Sequence, residues 1–185
     1  KDLPGEMPPG LAVIATPPRE DPGDVLVGSP DGLEGLAMGA RVGTTSPRRR
    51  AQVLAARPDL DVVEIRGNVD TRLAKLDAGE VDALVLASAG LNRLGIARAD
   101  AVRLPFGVCL PAAGQGIVAI EGRDGDAEVR AACATLDDTA ARACLAAERA
   151  FLARLGGGCS VPAGALCEVD GDSLHLRAWW DGSGR

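Results

Sequence analysis

From Arg41 onward the chain repeats one pattern three times: a short apolar run, a few small polar residues, then about ten residues of helical character. Residues 41–43, 61–65 and 81–86 read as strands, and residues 47–56, 69–78 and 89–97 as the helices that follow them. Such alternation predicts βαβ units and a mostly parallel sheet, because parallel neighbours need a crossover between them. Ahead of it, residues 11–16 (LAVIAT) read as a buried strand and residues 25–27 as a second, separated by the Pro-rich acidic turn 17–23. Beyond Pro105 the pattern changes to a strand at 116–121, a helix at 126–136 and a longer helix at 138–155 closed by Gly156, Gly157 and Gly158. Residues 161–169 and 173–180 then form a hairpin about the turn 170–172. The expected fold class is therefore α/β, with a βαβ domain followed by the start of a small α+β domain.

Ligands of open α/β sheets sit beyond the carboxyl ends of the strands, where helix N-termini present free N–H groups. All three junctions carry matching chemistry. The first is Gly43-Thr44-Thr45-Ser46-Pro47-Arg48-Arg49-Arg50, with Ser46 as N-cap and Pro47 at the first helical position. The second is Arg66-Gly67-Asn68-Val69-Asp70-Thr71-Arg72, capped by Asn68, and the third is Ser88-Ala89-Gly90-Leu91-Asn92-Arg93. A single Arg in such a stretch reads as a solvated surface group. Three junctions that each join a small cap to a guanidinium point instead to a ligand with several anionic groups, since the planar fork of Arg matches a carboxylate. Charge supports this reading. The whole chain carries −6, yet between Arg41 and Arg103 ten Arg and one Lys against eight acids leave +3, a confined anion site in an acidic protein.

Several function classes fall away. Aromatics make up 2% of the chain and Tyr is absent, so nucleic-acid modules built on aromatic stacking are not expected, nor is a nucleic-acid partner. The sequence holds no GxxxxGK[ST]. Gly114-Gln115-Gly116 with Ala119 spells GxGxxA but leads into a β-like stretch, so its glycines read as a tight turn. The five cysteines form no CxxC pair and His175 is the sole histidine, which argues against a disulfide framework, a zinc knuckle and His-based triads. No apolar run approaches the roughly 18 residues of a membrane span, and the opening residues are no signal peptide. A reducing, cytoplasmic setting follows, with no membrane partner. The start without Met and the stop just past residues 173–180 read as a piece of a longer protein. Cys159 stands on a glycine-rich turn after a helix C-terminus, where the helix dipole disfavours a thiolate, so it does not read as an activated nucleophile. Asp2 beside Lys1 reads as a surface pair.

Ordered motifs nevertheless run along almost the whole chain: Lys1-Asp2-Leu3-Pro4, Arg19-Glu20-Asp21-Pro22, Gly43-Thr44-Thr45-Ser46-Pro47-Arg48-Arg49, and Arg66-Gly67-Asn68-Val69-Asp70-Thr71-Arg72-Leu73. They continue with Ala89-Gly90-Leu91-Asn92-Arg93-Leu94-Gly95, Leu110-Pro111-Ala112-Ala113-Gly114-Gln115-Gly116, Glu148-Arg149-Ala150-Phe151 and Gly157-Gly158-Cys159-Ser160-Val161-Pro162. Together they resemble the porphobilinogen deaminase (hydroxymethylbilane synthase) family of tetrapyrrole biosynthesis. The resemblance implies a monomeric three-domain enzyme whose first two domains look like periplasmic binding proteins. Residues 1–20 would be a remnant of domain 1, 21–110 domain 2, 111–136 the return to domain 1, and 137–185 the start of domain 3.

It further implies a dipyrromethane cofactor held as a thioether on Cys159, with Cys167 the near rival in sequence, and Asp2 as the catalytic carboxylate. The groups matched to cofactor and substrate carboxylates are Thr44, Ser46, Arg48, Arg49, Arg66, Arg72 and Arg93, with Lys1 adjoining and Gln115 on a loop near the hinge. No metal is implied. The implied reaction condenses four porphobilinogen units into hydroxymethylbilane with loss of ammonia, Asp2 hydrogen-bonding pyrrole N–H groups and stabilising developing positive charge. Pro47, Thr45 and Gly156 depart from the family's usual Leu, Ser and Glu without removing a catalytic group. Lacking most of the first domain, the 185 residues are expected to be inactive alone. A noncatalytic carboxylate-binding module of periplasmic-binding-protein type would use the same arginines without needing Asp2 or a loaded Cys159.

Overall fold

The computed structural model describes residues 7–156 and 161–182. At its centre is a five-stranded sheet built from β2 (Asp24–Val27), β3 (Arg41–Gly43), β4 (Asp61–Val63), β5 (Ala83–Ala87) and β6 (Ala101–Arg103), in the order β4-β3-β5-β2-β6. Helices α1 (Pro47–Ala56), α2 (Val69–Asp77) and α3 (Ser88–Leu94) follow β3, β4 and β5 in turn. Period-two alternation sends side chains to two cores. Leu26, Val42 and Val85 pack with Val53 of α1, whereas Val27, Leu84 and Leu86 pack with Leu73 of α2 and Leu91 of α3. Burying each such Leu or Val is worth about 1.5–3 kcal/mol, so both faces of the sheet are held by helices.

The sheet is mixed: β3, β4, β5 and β6 run one way and β2 alone is reversed. β3 pairs parallel with β4 and β5, but β2 runs antiparallel to both β5 and β6, with Asp24 opposite Ala87. The expected pattern missed this because β2 arrives from a crossing segment, not from a helix of the repeat. Its reversed direction places its first residue, Asp24, at the carboxyl ends of β3 and β5. β6 was not foreseen; its three residues are only half-buried or exposed and carry no alternating signal.

The first strand, β1 (Leu11–Ala15), pairs antiparallel with β7 (Ile120–Arg123), which starts later than the strand expected at 116–121. The delay has a backbone cause: Gly114 and Gly116 hold φ of 72° and 83°, and the N–H groups of Gln115 and Ile117 close successive turns. α4 (Ala127–Cys133) packs on β1, and α5 (Thr139–Arg154) packs on the hairpin of β8 (Ala163–Asp170) and β9 (Ser173–Trp180). α5 starts at Asp138, whose Oδ1 accepts from Ala141 N–H at 2.8 Å. It buries Ala141, Cys144, Leu145 and Glu148, an i, i+3, i+4, i+7 stripe.

Candidate anion-binding site

Ser46 and Pro47 start α1 as the sequence predicts: Ser46 Oγ accepts from Arg49 N–H at 3.4 Å, and Thr44 Oγ1 from Ser46 N–H at 3.2 Å. Arg48 and Arg49 then diverge by one helical step, and Asp24 takes both. Arg48 is 4% exposed and donates through Nη1 to Asp24 Oδ2 (2.8 Å) and Leu110 O (2.6 Å), and through Nη2 to Gln115 Oε1 (3.3 Å). Arg49 donates from Nε and Nη2 to Asp24 Oδ1 at 3.1 and 2.7 Å, and from Nη1 to Val85 O at 3.2 Å. Gln115 Nε2 adds a donor to Oδ1 at 2.8 Å, and the Cys109 thiol a donor to Oδ2 at 3.2 Å.

Burial alone would push the Asp24 carboxyl up, but Arg49 and Arg48 outweigh it and hold the group down at about 2. Cys109 is moved the other way, to about 12, by burial and by the Asp24 charge, which leaves it an unreactive thiol. Because the folded Asp24 titrates below its ordinary value of 3.8, its stabilisation is complete above that value and is lost as pH falls towards about 2. Asp24→Asn is therefore expected to lower stability at neutral pH and to flatten the acid-unfolding curve between about pH 4 and 2. Urea unfolding of both proteins across that range checks this; parallel curves would contradict it.

Beside this cluster, at the N-termini of α2 and α3, lies a cavity of about 750 Å³ closed on its other side by residues 114–119. Among the described residues its lining sets Arg49, Arg72 and Arg93 against one carboxylate, Glu121. Arg72 Nε donates to Gly67 O at 2.8 Å and Arg93 Nη2 to Gly116 O at 2.8 Å. Neither forms a salt bridge among the described residues, so each keeps four of its five N–H groups uncommitted. Partial burial, and then the Arg49 charge, lower the Arg72 pKa. Asn68 caps α2 by accepting from Thr71 N–H at 2.8 Å, and Leu86, Ile117 and Val118 supply an apolar wall. The arrangement suits a flat, apolar body bearing carboxylates.

Gly116 shapes the rim. A Cβ there would lie 2.3 Å from Glu20 O, and Gly116 O accepts from both Arg93 and Glu20 N–H. Gly116→Ala is expected to cost about 2–3 kcal/mol through the positive φ and the backbone clash. Thermal unfolding measures it; an unchanged midpoint would show that the loop accommodates the methyl.

The structure thus brings Arg49, Arg72, Arg93 and Gln115 together. Arg48 is shut away behind Asp24, and Thr44 and Ser46 are engaged in the first turn of α1. Arg66 is exposed, pairs with Glu64 at 2.9 Å and does not line the cavity. The third junction also differs from expectation: α3 begins at Ser88 with no side-chain cap, because Ser88 is itself buried in the first turn and its N–H donates to Gly23 O. Lys1, Asp2 and Cys159 lie outside the described residues. Cys167 is buried in β8 with its N–H on Glu148 Oε1 at 2.7 Å.

The sequence reading assigns no role to two buried hubs, although one of them heads the motif Glu148-Arg149-Ala150-Phe151. Asp24 heads a fully buried strand, and Glu148 sits on the apolar stripe of α5. Glu148 accepts from Arg19 Nη1 (2.6 Å) and Nη2 (3.3 Å), Gly114 N–H (2.6 Å) and Cys167 N–H (2.7 Å). In both cases the signal was a carboxylate in an otherwise apolar pattern.

A mixed α/β sheet with Arg49, Arg72 and Arg93 lining one cavity beyond the carboxyl ends of its parallel strands defines an α/β protein with an arginine-lined cavity. Comparison with known proteins narrows the class. The family model "Porphobilinogen deaminase, dipyromethane cofactor binding domain" matches residues 1–131, and "Porphobilinogen deaminase, C-terminal domain" matches residues 142–180. The chain belongs to the porphobilinogen deaminase family. It is 54% identical over 178 residues to a porphobilinogen deaminase of Roseiflexus sp. (strain RS-1), covering 96% of this chain and 59% of that protein. To that of Stenotrophomonas maltophilia (strain K279a) it is 50% identical, with 96% and 59% covered, so the chain spans about three-fifths of the length of these relatives. A periplasmic binding protein from Brucella ovis, solved with glutathione bound, is 20% identical with a TM-score of 0.37 over 65% of this chain and 39% of its own, too distant to carry an argument.

Proposed function

We propose that the protein containing this chain condenses four porphobilinogen units into hydroxymethylbilane, releasing ammonia at each step. The observation that carries the reading is the pair of guanidiniums, Arg72 and Arg93, that line one cavity and form no salt bridge among the described residues. Porphobilinogen is a pyrrole with an acetate and a propionate arm, so each unit added brings two more carboxylates to such a wall. The residues present fit dipyrromethane, which carries the same arms. Arg49, Arg72 and Arg93 would hold its carboxylates, Leu86, Ile117 and Val118 would face its rings, and Cys159 would carry the thioether. Bound there, the group supplies the pyrrole on which the chain is extended.

Within this reading Asp2 accepts hydrogen bonds from pyrrole N–H groups and stabilises positive charge as it develops. Arg49, Arg72 and Arg93 orient the carboxylates so that successive units meet Asp2 in the same pose. Gln115 ties the loop at 114–116 to Asp24 and so holds one side of the cavity. Residues 21–110 act as the anion-binding unit and residues 137–185 open the unit that carries Cys159. Among the described residues no helix is long and apolar enough to cross a membrane; the enzyme is proposed to work as a monomer in the cytoplasm.

Intact-mass measurement of the full-length protein tests the reading. A covalent adduct that maps to Cys159 and gives a colour reaction for pyrroles is the expected result. A folded, anion-binding protein with an unmodified Cys159 would instead mark a noncatalytic binding module.

A further inference from the structure

Arg48 and Arg49 are neighbours of the same type, yet only one of them reaches the cavity. The difference is made by the two oxygens of Asp24. Oδ2 accepts from Arg48 and Cys109, and Oδ1 accepts from Arg49 and Gln115. Oδ1 alone takes three donor contacts, so a fully buried carboxylate has no capacity left for a ligand. Its effect on Arg49 is geometric. The Nε and Nη2 edge is fixed on Asp24 and Nη1 is fixed on Val85 O, which sets the plane of the guanidinium. One N–H on each Nη remains, on a side chain that lines the cavity.

We propose that Asp24 is a positioning residue, which locks Arg48 into the fold and aims Arg49 at the carboxylates of the ligand. This deepens the reading of the cavity as a carboxylate site and rests on it. Without the Asp24 charge two adjacent guanidiniums repel, and the Arg49 plane is no longer set; the remaining N–H groups then meet a carboxylate in many orientations instead of one. The structure also explains why the neighbours do not exchange roles. Arg48 is closed over by Leu110 O and the Gln115 side chain, whereas Arg49 faces α2 and α3.

The test is a double-mutant cycle in the full-length protein: Asp24→Asn, Arg49→Gln and the two combined, read by calorimetric binding of citrate as a tricarboxylate probe and by kcat and KM for porphobilinogen. Asp24→Asn is expected to raise the citrate Kd and the KM about tenfold while kcat stays within about threefold. In the Arg49→Gln background the same change is expected to add less than twofold, because the group it positions is gone. An equal penalty in both backgrounds, or an unchanged Kd, overturns the proposal. If Asp24→Asn does not fold, Asp24→Glu in both backgrounds decides the point, since it keeps the charge but displaces it by one methylene; the same loss of its penalty on removing Arg49 is required. Citrate binding that follows the cycle in a protein that does not turn over porphobilinogen would sink the assigned reaction and leave Asp24 in its role. Normal turnover with additive effects would do the reverse.

Discussion

Replacing Arg72 and Arg93 together by glutamine in the full-length protein is expected to raise KM for porphobilinogen by about a hundredfold or more. Each guanidinium has four N–H groups free for the ligand, and a hydrogen bond to a charged partner is worth about 1.5–3 kcal/mol. Losing both should therefore cost about 3 kcal/mol or more, and roughly 1.4 kcal/mol corresponds to a tenfold change. The fold should hardly notice. Neither side chain is in a salt bridge among the described residues, and each gives only one hydrogen bond to a backbone oxygen, Gly67 O or Gly116 O. Removing Arg72 also removes a positive neighbour of Arg49. Thermal midpoints within about 2 °C of the unsubstituted protein are expected alongside the loss of affinity. Arg98 serves as the control: paired with Asp77 and Asp100 at 2.9 Å each, it lies outside the cavity, and Arg98→Gln should leave KM where it was. A doubly substituted protein with near-normal KM would show that the cavity is not where porphobilinogen binds.

Glu148→Ala should give the largest loss of stability. This carboxylate is fully buried and satisfies a guanidinium and two backbone N–H groups from three separate stretches of chain. Deleting it strands the Arg19 charge at 13% exposure and leaves the N–H groups of Gly114 and Cys167 without their acceptor. Breaking a buried pair by removing one partner costs about 3–5 kcal/mol, or roughly 10 °C in the thermal midpoint of a chain this size. Arg19→Met combined with Glu148→Leu should recover part of that, because no buried charge then remains unpaired. A midpoint change of less than about 2 °C for Glu148→Ala would mean that water replaces the carboxylate and that the hub carries little.

The three βα units were legible from Arg41 onward because the signals are local: apolar runs that favour strands, Ser46 and Asn68 as caps, Pro47 at the first helical position. α1 begins and ends where the sequence placed it, and α2 begins where Asn68 dictates. The direction of β2 was not legible. Four apolar-flanked residues look alike in either orientation, and what sets their direction is pairing with β5, sixty residues away. Of the site, the clustering of Arg72 and Arg93 followed from their places after β4 and before the end of α3. The division of labour between Arg48 and Arg49 did not, because it depends on a carboxylate 24 positions upstream. Asp24 and Glu148 were passed over for the same reason: a buried acid is informative only once its cationic partner is known, and here the partners come from elsewhere in the chain.

The reversed course of β2 has a topological consequence. β2 opens the five-stranded sheet and β6 closes it, and because the two run antiparallel side by side, the point of entry at Asp24 and the point of exit at Leu104 are joined by a hydrogen bond of 2.9 Å from Leu104 N–H to Asp24 O. The sheet with its three helices is thus an insert whose two ends touch. Such a unit can be gained or lost by a host without pulling the host apart, and its ends can be linked to each other as readily as to their neighbours. A gene segment for residues 24–104 could therefore be permuted, opened at an exposed turn such as Gly39 and closed at Asp24, with every strand keeping its partners.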